Sequence, residues 1–157
     1  MSFSRTALDH TSTFSRTPIF FLFDSGDVAH CTGDCQVTIF LVAVIDDDEA
    51  LGSSLVDLMR SSGYRCEPFV SAETFLLSSN LSFWDCIIAD IHMPGMGGLN
   101  LIRHLRQRGF VTPVILITAL PDEDLDEEAI SIGARCLLRK PFETTYLLDC
   151  VERSLCK

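Results

Sequence analysis

Long apolar runs are missing from this 157-residue chain, and none approaches the ~18 to 20 residues that a membrane-spanning helix requires. No membrane span is expected. Positive charge is also scarce: 12 Lys and Arg stand against 22 Asp and Glu, a formal net charge of −10. Such a surface repels phosphate backbones and acidic membranes, so direct nucleic-acid binding is not expected. Paired cysteine spacing is lacking too. Cys31, Cys35, Cys66, Cys86, Cys136, Cys150 and Cys156 are odd in number and lie partly inside apolar runs such as Cys86-Ile87-Ile88. They read as buried thiols in a reducing compartment, which points to a cytoplasmic protein. The cluster His30-Cys31-Thr32-Gly33-Asp34-Cys35 has no second ligand pair and reads as a solvated loop. No secretory signal is expected, because the apolar patch at 18–23 is short and no convincing small-residue cleavage site follows it.

What is present has the proportions of one packed domain, with 47% hydrophobic and 22% charged residues. Residues 1–36 are Ser- and Thr-rich at first and lack periodicity, so they are expected to form a flexible N-terminal extension. From Val37 the pattern is regular, which sets the domain at 37–157. Apolar runs at 38–45, 64–70, 84–89, 114–117 and 135–139 read as strands. Between and after them lie segments of helical period: one carries Leu51, Leu55, Leu58 and Met59 to Gly63, then come 71–79, a stretch with Leu99, Ile102 and Leu105, an acidic helix at 122–132, and 142–155. Arg103, Arg106 and Arg108 are expected on a solvated face. Five βα units predict an α/β fold with a doubly wound parallel sheet.

In such sheets chemistry gathers beyond the carboxyl ends of the strands. Asp46 and Asp47 follow the first strand, Asp90 the third, Thr118 the fourth and Lys140 the fifth. Three carboxylates crowded at one rim repel one another unless a cation compensates, and a hard divalent ion such as Mg²⁺ does so with oxygen ligands. Lys140 and Thr118 add an ammonium and a hydroxyl suited to a phosphoryl group, and an Asp nucleophile would yield an aspartyl phosphate.

From Val37 onward the chain resembles the receiver domains of two-component response regulators. The resemblance is carried by Val44-Ile45-Asp46-Asp47-Asp48, Asp90-Ile91-His92-Met93-Pro94-Gly95-Met96-Gly97-Gly98, Ile117-Thr118-Ala119 and Lys140-Pro141-Phe142, in that order. It implies a flavodoxin-like, five-stranded sheet of order 2-1-3-4-5, with Asp90 as phosphoacceptor in a phosphorelay. Asp46, Asp47, Asp90 and the backbone carbonyl of His92 would hold Mg²⁺. Thr118 and the Ala119 N–H would contact the phosphoryl group, Lys140 would pair with it, and Lys140-Pro141 is a candidate cis peptide. A histidine kinase or phosphotransfer protein would donate the phosphate, and a downstream protein would read the signal. The domain would catalyse its own phosphotransfer and slow dephosphorylation.

Two positions bear on readout. The family commonly places Tyr or Phe where this chain has Leu137, so coupling of Thr118 to the face formed by the fourth helix, fifth strand and fifth helix is expected to be weak. Leu120, two positions beyond Thr118, is expected to screen the phosphoryl group. Two other readings stand beside this one. One is a small haloacid-dehalogenase-like phosphohydrolase with Asp46 as nucleophile and Asp48 as acid/base; the other is a pseudo-receiver that never carries phosphate and acts only by protein contacts. The last expected helix ends close to Lys157, which fits either a stand-alone regulator or a fragment of a longer one.

Overall fold

The computed structural model describes residues 38–78, 80–121 and 124–156. The expected extension 1–36, its apolar patch and its His/Cys cluster lie outside the described residues. Five parallel strands, β1 (Leu41–Ile45), β2 (Arg65–Phe69), β3 (Cys86–Asp90), β4 (Val114–Thr118) and β5 (Cys136–Arg139), form one sheet in the order β2-β1-β3-β4-β5. The helices are α1 (Glu49–Ser61), α2 (Ala72–Leu76), α3 (Gly98–Gln107), α4 (Asp124–Ser131) and α5 (Thr144–Leu155). This is the doubly wound sheet that the alternation predicts.

The two-residue period of the strands divides the core into two layers. Ala43, Ile45, Ile87, Ala89, Val114 and Leu116 face Phe75 of α2 and Leu101, Ile102 and Leu105 of α3. Val42, Val44, Ile88, Ile115, Ile117 and Leu138 face Leu55, Val56 and Met59 of α1 and Leu147 and Val151 of α5. Each large side chain so buried contributes about 1.5–3 kcal/mol of transfer free energy. Both layers are needed, because every central strand is apolar on both faces.

Several element boundaries are tighter than the apolar runs, while β3 and β4 run one residue further, through Asp90 and Thr118. The first strand begins at Leu41 rather than at 38, because the ladders to β2 and β3 begin with Leu41↔Arg65 and Val42↔Cys86. α2 stops at Leu76, short of the expected 79. Its start is set by Ser71 and Thr74, each side chain bonding the other's backbone N–H, and a 3₁₀ turn at Leu81–Phe83 follows. α5 begins at Thr144 rather than at 142. The expected start of the acidic helix at 122 lies outside the described residues.

Arg106 departs from its expected solvated face. Its guanidinium donates to the carbonyls of Phe110 (2.8 Å), Thr112 (3.1 Å) and Gly133 (3.0 Å), fastening the loop before β4 to the turn before β5. Arg103 is engaged as well, in an ion pair with Glu128 of α4. At the other end of α3, Gly97 and Gly98 allow the helix to start against the end of β3. A Cβ at 97 would lie 2.3 Å from the Ile91 carbonyl oxygen, and one at 98 would lie 2.7 Å from that of Asp90.

Candidate functional site

Parallel strands deliver their final residues to one rim, and the five residues singled out by pattern meet there. Asp46 continues the line of β1, its N–H donating to the Phe69 carbonyl at 3.1 Å. Asp90 ends β3 and Thr118 ends β4. Lys140 follows β5 and is tied to β4 by its N–H, which donates to the Thr118 carbonyl at 2.7 Å. The Lys140–Pro141 peptide is cis.

The acidic run after β1 divides its work. Asp46 is buried, and its Oδ1 accepts from the Asp48 N–H at 2.8 Å. Asp47 is exposed, yet its carboxylate comes within 4.8 Å of those of Asp46 and Asp90. Asp48 caps α1 by accepting from the N–H groups of Ala50 and Leu51 at 3.0 and 3.1 Å. That leaves Asp48 on the helix end, outside the cluster.

Asp90 is held from two sides. Its Oδ1 accepts from the His92 N–H at 2.9 Å, and its Oδ2 accepts from the Lys140 ammonium at 2.5 Å. Lys140 Nζ lies 3.5 Å from Asp46 Oδ2, close enough for an ion pair, but that buried oxygen has no hydrogen-bond partner among the described residues. Burial pushes the Asp46 carboxyl above its ordinary value, helped by the charge of Asp90 and opposed by the Asp48 N–H and by Lys140. For Lys140 the loss of hydration works downward, but the hydrogen bond and charge of Asp90, with the charge of Asp46, outweigh it and hold the ammonium above its usual range.

One ammonium cannot balance three carboxylates. A buried carboxylate oxygen that receives no hydrogen bond is costly in a native protein unless a ligand completes it. The orphaned Asp46 Oδ2 and the all-oxygen donor set of Asp46, Asp47 and Asp90 therefore fit a hard divalent cation that keeps part of its hydration.

The Thr118 side chain is fully buried, and its hydroxyl accepts from the Leu120 N–H at 3.1 Å. The same oxygen lies 3.4 Å from His92 Nδ1. Leu120 itself is half exposed, and Ala119 is exposed between them. Leu137 is not part of this cluster: it pairs with Leu116 in the sheet and packs, half-buried, on the core layer beneath α3.

Pattern reading passed over Glu73. From α2 its Oε1 accepts from the Met96 N–H at 2.8 Å, pinning the loop that follows Asp90. Hydrogen bonds from its own backbone N–H and from that of Met96 hold its carboxyl below the ordinary range. The available signal was Gly95, at φ 78°, where a Cβ would lie 2.6 Å from Glu73 Oε1.

Comparison with known proteins accords with this geometry. The family model for the response regulator receiver domain matches residues 42–152. The chain belongs to the response regulator receiver family. Among curated relatives, the transcriptional regulatory protein FixJ of Azorhizobium caulinodans is 40% identical over 114 residues, covering 73% of this chain and 54% of FixJ. The response regulator protein TodT of Pseudomonas putida is 36% identical over 115 residues, covering 73% and 51%. This receiver chain thus spans about half the length of these relatives. Among solved structures, FixJ-N superposes with a TM-score of 0.69 at 30% identity, over 75% of this chain and 94% of that one. The chemotaxis protein CheY4 of Vibrio cholerae gives 0.68 at 26%, over 75% and 100%. Accepting a phosphoryl group is the general function of the family. Among the described residues, no helix is long and apolar enough to cross a membrane.

Proposed function

We propose that Asp90 is the phosphoacceptor of a phosphorelay, taking its phosphoryl group from the phosphohistidine of a histidine kinase or phosphotransfer protein in a Mg²⁺-dependent reaction. The observation that carries this is the pairing of buried Asp90 with Lys140 beside the orphaned oxygen of Asp46. Mg²⁺, held by Asp46, Asp47, Asp90 and the His92 carbonyl, would supply the positive charge that lets phosphoryl oxygens approach three acids.

The chain's own residues do the rest. An Asp90 carboxylate oxygen attacks phosphorus as the bond to the donor imidazole breaks. Lys140, which pairs with Asp90 in the resting site, stays beside the developing charge. The Thr118 hydroxyl leaves the Leu120 N–H to bond the new phosphoryl group, joined by the Ala119 N–H. Leu120 limits the approach of water to it. Because position 137 is Leu, movement of Thr118 couples weakly to the face of α4, β5 and α5. Signalling then proceeds through contacts with a downstream protein, in the cytoplasm, without direct nucleic-acid binding by this chain.

Labelling with acetyl phosphate and Mg²⁺ tests the assignment: wild type should form an acid-stable, base-labile acyl phosphate, and Asp90→Ala should form none. Labelling that persists in Asp90→Ala would overturn it. The phosphohydrolase reading needs Asp48 as acid/base, whereas Asp48 caps α1. A pseudo-receiver would show no linked binding of Mg²⁺ and beryllofluoride.

A further inference from the structure

We propose that Cys136 and Cys150 are an oxidisable dithiol that closes to an intramolecular disulfide, tying α5 to β5. Cys136 opens β5 and is half-buried; Cys150 sits in α5 and is buried. Their sulfurs are 2.7 Å apart. A disulfide bond is about 2.05 Å long, so about 0.65 Å of approach joins them, a movement within the reach of side-chain torsions. The Cys86 thiol, in the same core layer, donates instead to the Ile87 carbonyl. Proximity of the two thiols comes from the sheet and not from local spacing, since Cys136 and Cys150 lie 14 positions apart on different elements.

The oxidant is a hydroperoxide. The more accessible Cys136 sulfur attacks the O–O bond of hydrogen peroxide, forming a sulfenic acid and releasing one water. The Cys150 sulfur then attacks the sulfenic sulfur and expels a second water. The two thiols together lose two electrons to the peroxide, and both thiol protons leave in the water formed. Burial and the adjacent Cys150 thiol push the Cys136 thiol above its ordinary value, so thiolate is scarce at neutral pH. The step is accordingly slow, and it speeds up with rising pH. In a reducing compartment a disulfide of this kind is transient and reports oxidant load. The closed loop contains Lys140 and Pro141, and the bond fixes α5 against the strand that leads to them.

The test uses the full chain, treated with hydrogen peroxide at pH 7 and at pH 8.5, then alkylated under denaturing conditions and mapped by mass spectrometry. The expected product links the Cys136 and Cys150 peptides with loss of two hydrogens, and it forms faster at the higher pH. Tm should rise on the order of 5 °C and return on addition of dithiothreitol. Cys136→Ser and Cys150→Ser should each abolish the link and the Tm shift. Overoxidation of Cys136 with Cys150 still alkylatable would overturn the proposal, as would linkage of either residue to a different cysteine. The wild-type map decides the matter even where a serine variant fails to fold.

Discussion

The two ends of the sheet treat charge in opposite ways. At the carboxyl end, Lys140 pairs with Asp46 and Asp90 while Asp47 lies beside them, and among the described residues the buried Asp46 Oδ2 has no hydrogen-bond partner. At the amino end, the half-buried guanidinium of Arg106 reaches three backbone carbonyls that the turns before β4 and β5 would otherwise leave without it. The strands between are the same apolar ladders. One end is held short of electrostatic completion, which in the proposed function would suit it to a cation and a phosphoryl group, and the other is completed internally and serves cohesion. Function and stability are thus separable along one sheet.

Isosteric removal of charge at the carboxyl end should give the largest effect. Asp46→Asn keeps an acceptor for the Asp48 N–H but removes one acid from the cluster, so labelling of Asp90 by acetyl phosphate should be lost. At Mg²⁺ 100-fold above its dissociation constant, wild type should gain about 2.7 kcal/mol of stability and Asp46→Asn almost none. Without Mg²⁺ the two should differ by less than about 1 kcal/mol in urea denaturation, because lost repulsion from Asp90 offsets lost attraction to Lys140. Arg106→Ala should do the reverse. Three carbonyls lose a charged donor, costing about 2 kcal/mol in the same denaturation, with the labelling rate unchanged. A stability loss in Asp46→Asn equal to that in Arg106→Ala would erase the contrast between the ends.

A smaller effect belongs to the thiols near the amino end. Burial pushes Cys66 and Cys86 up to about 12 from an ordinary value of 9.0. Between those values the unfolded chain releases protons that the folded one retains, so stability is intact below pH 9 and falls as pH rises. The loss should be about 1 kcal/mol per thiol at pH 10. Cys86→Ala should flatten the slope of denaturation midpoint against pH.

Much of this arrangement was legible from residue pattern, for a physical reason. A strand buried on both faces must be apolar throughout, so an Asp, Thr or Lys at its end stands out, and topology alone carries such residues to one rim. Asp46, Asp90, Thr118 and Lys140 were visible in this way. Where each strand stops was less visible, because Thr38 and Ile39 have strand-like side chains but, among the described residues, no partner strand beside them. Arg106 was misread since an arginine in the last turn of a helix resembles its solvated neighbours. Its partners, at 110, 112 and 133, come close only after β4 and β5 pair. Glu73 was hidden for the same reason, an exposed acid on a five-residue helix whose partner is 23 positions away.

Glu73 therefore provides the mildest test of how the two ends differ, because it belongs to the functional end without belonging to the acid cluster. Its carboxylate is exposed, so its removal should leave global stability nearly unchanged. What changes is the loop from Met93 to Gly97, which loses its anchor at the Met96 N–H while the His92 N–H still holds Asp90 Oδ1. The His92 carbonyl lies at the start of that loop, so Glu73→Ala should weaken Mg²⁺ binding and slow labelling by a few-fold. Glu73→Gln retains an oxygen acceptor and should recover most of the loss. Recovery by Gln identifies the hydrogen bond as the operative contact. Equal weakening in Ala and Gln would instead trace the effect to the Glu73 charge acting on the cation, and the functional end would then extend electrostatically as far as α2.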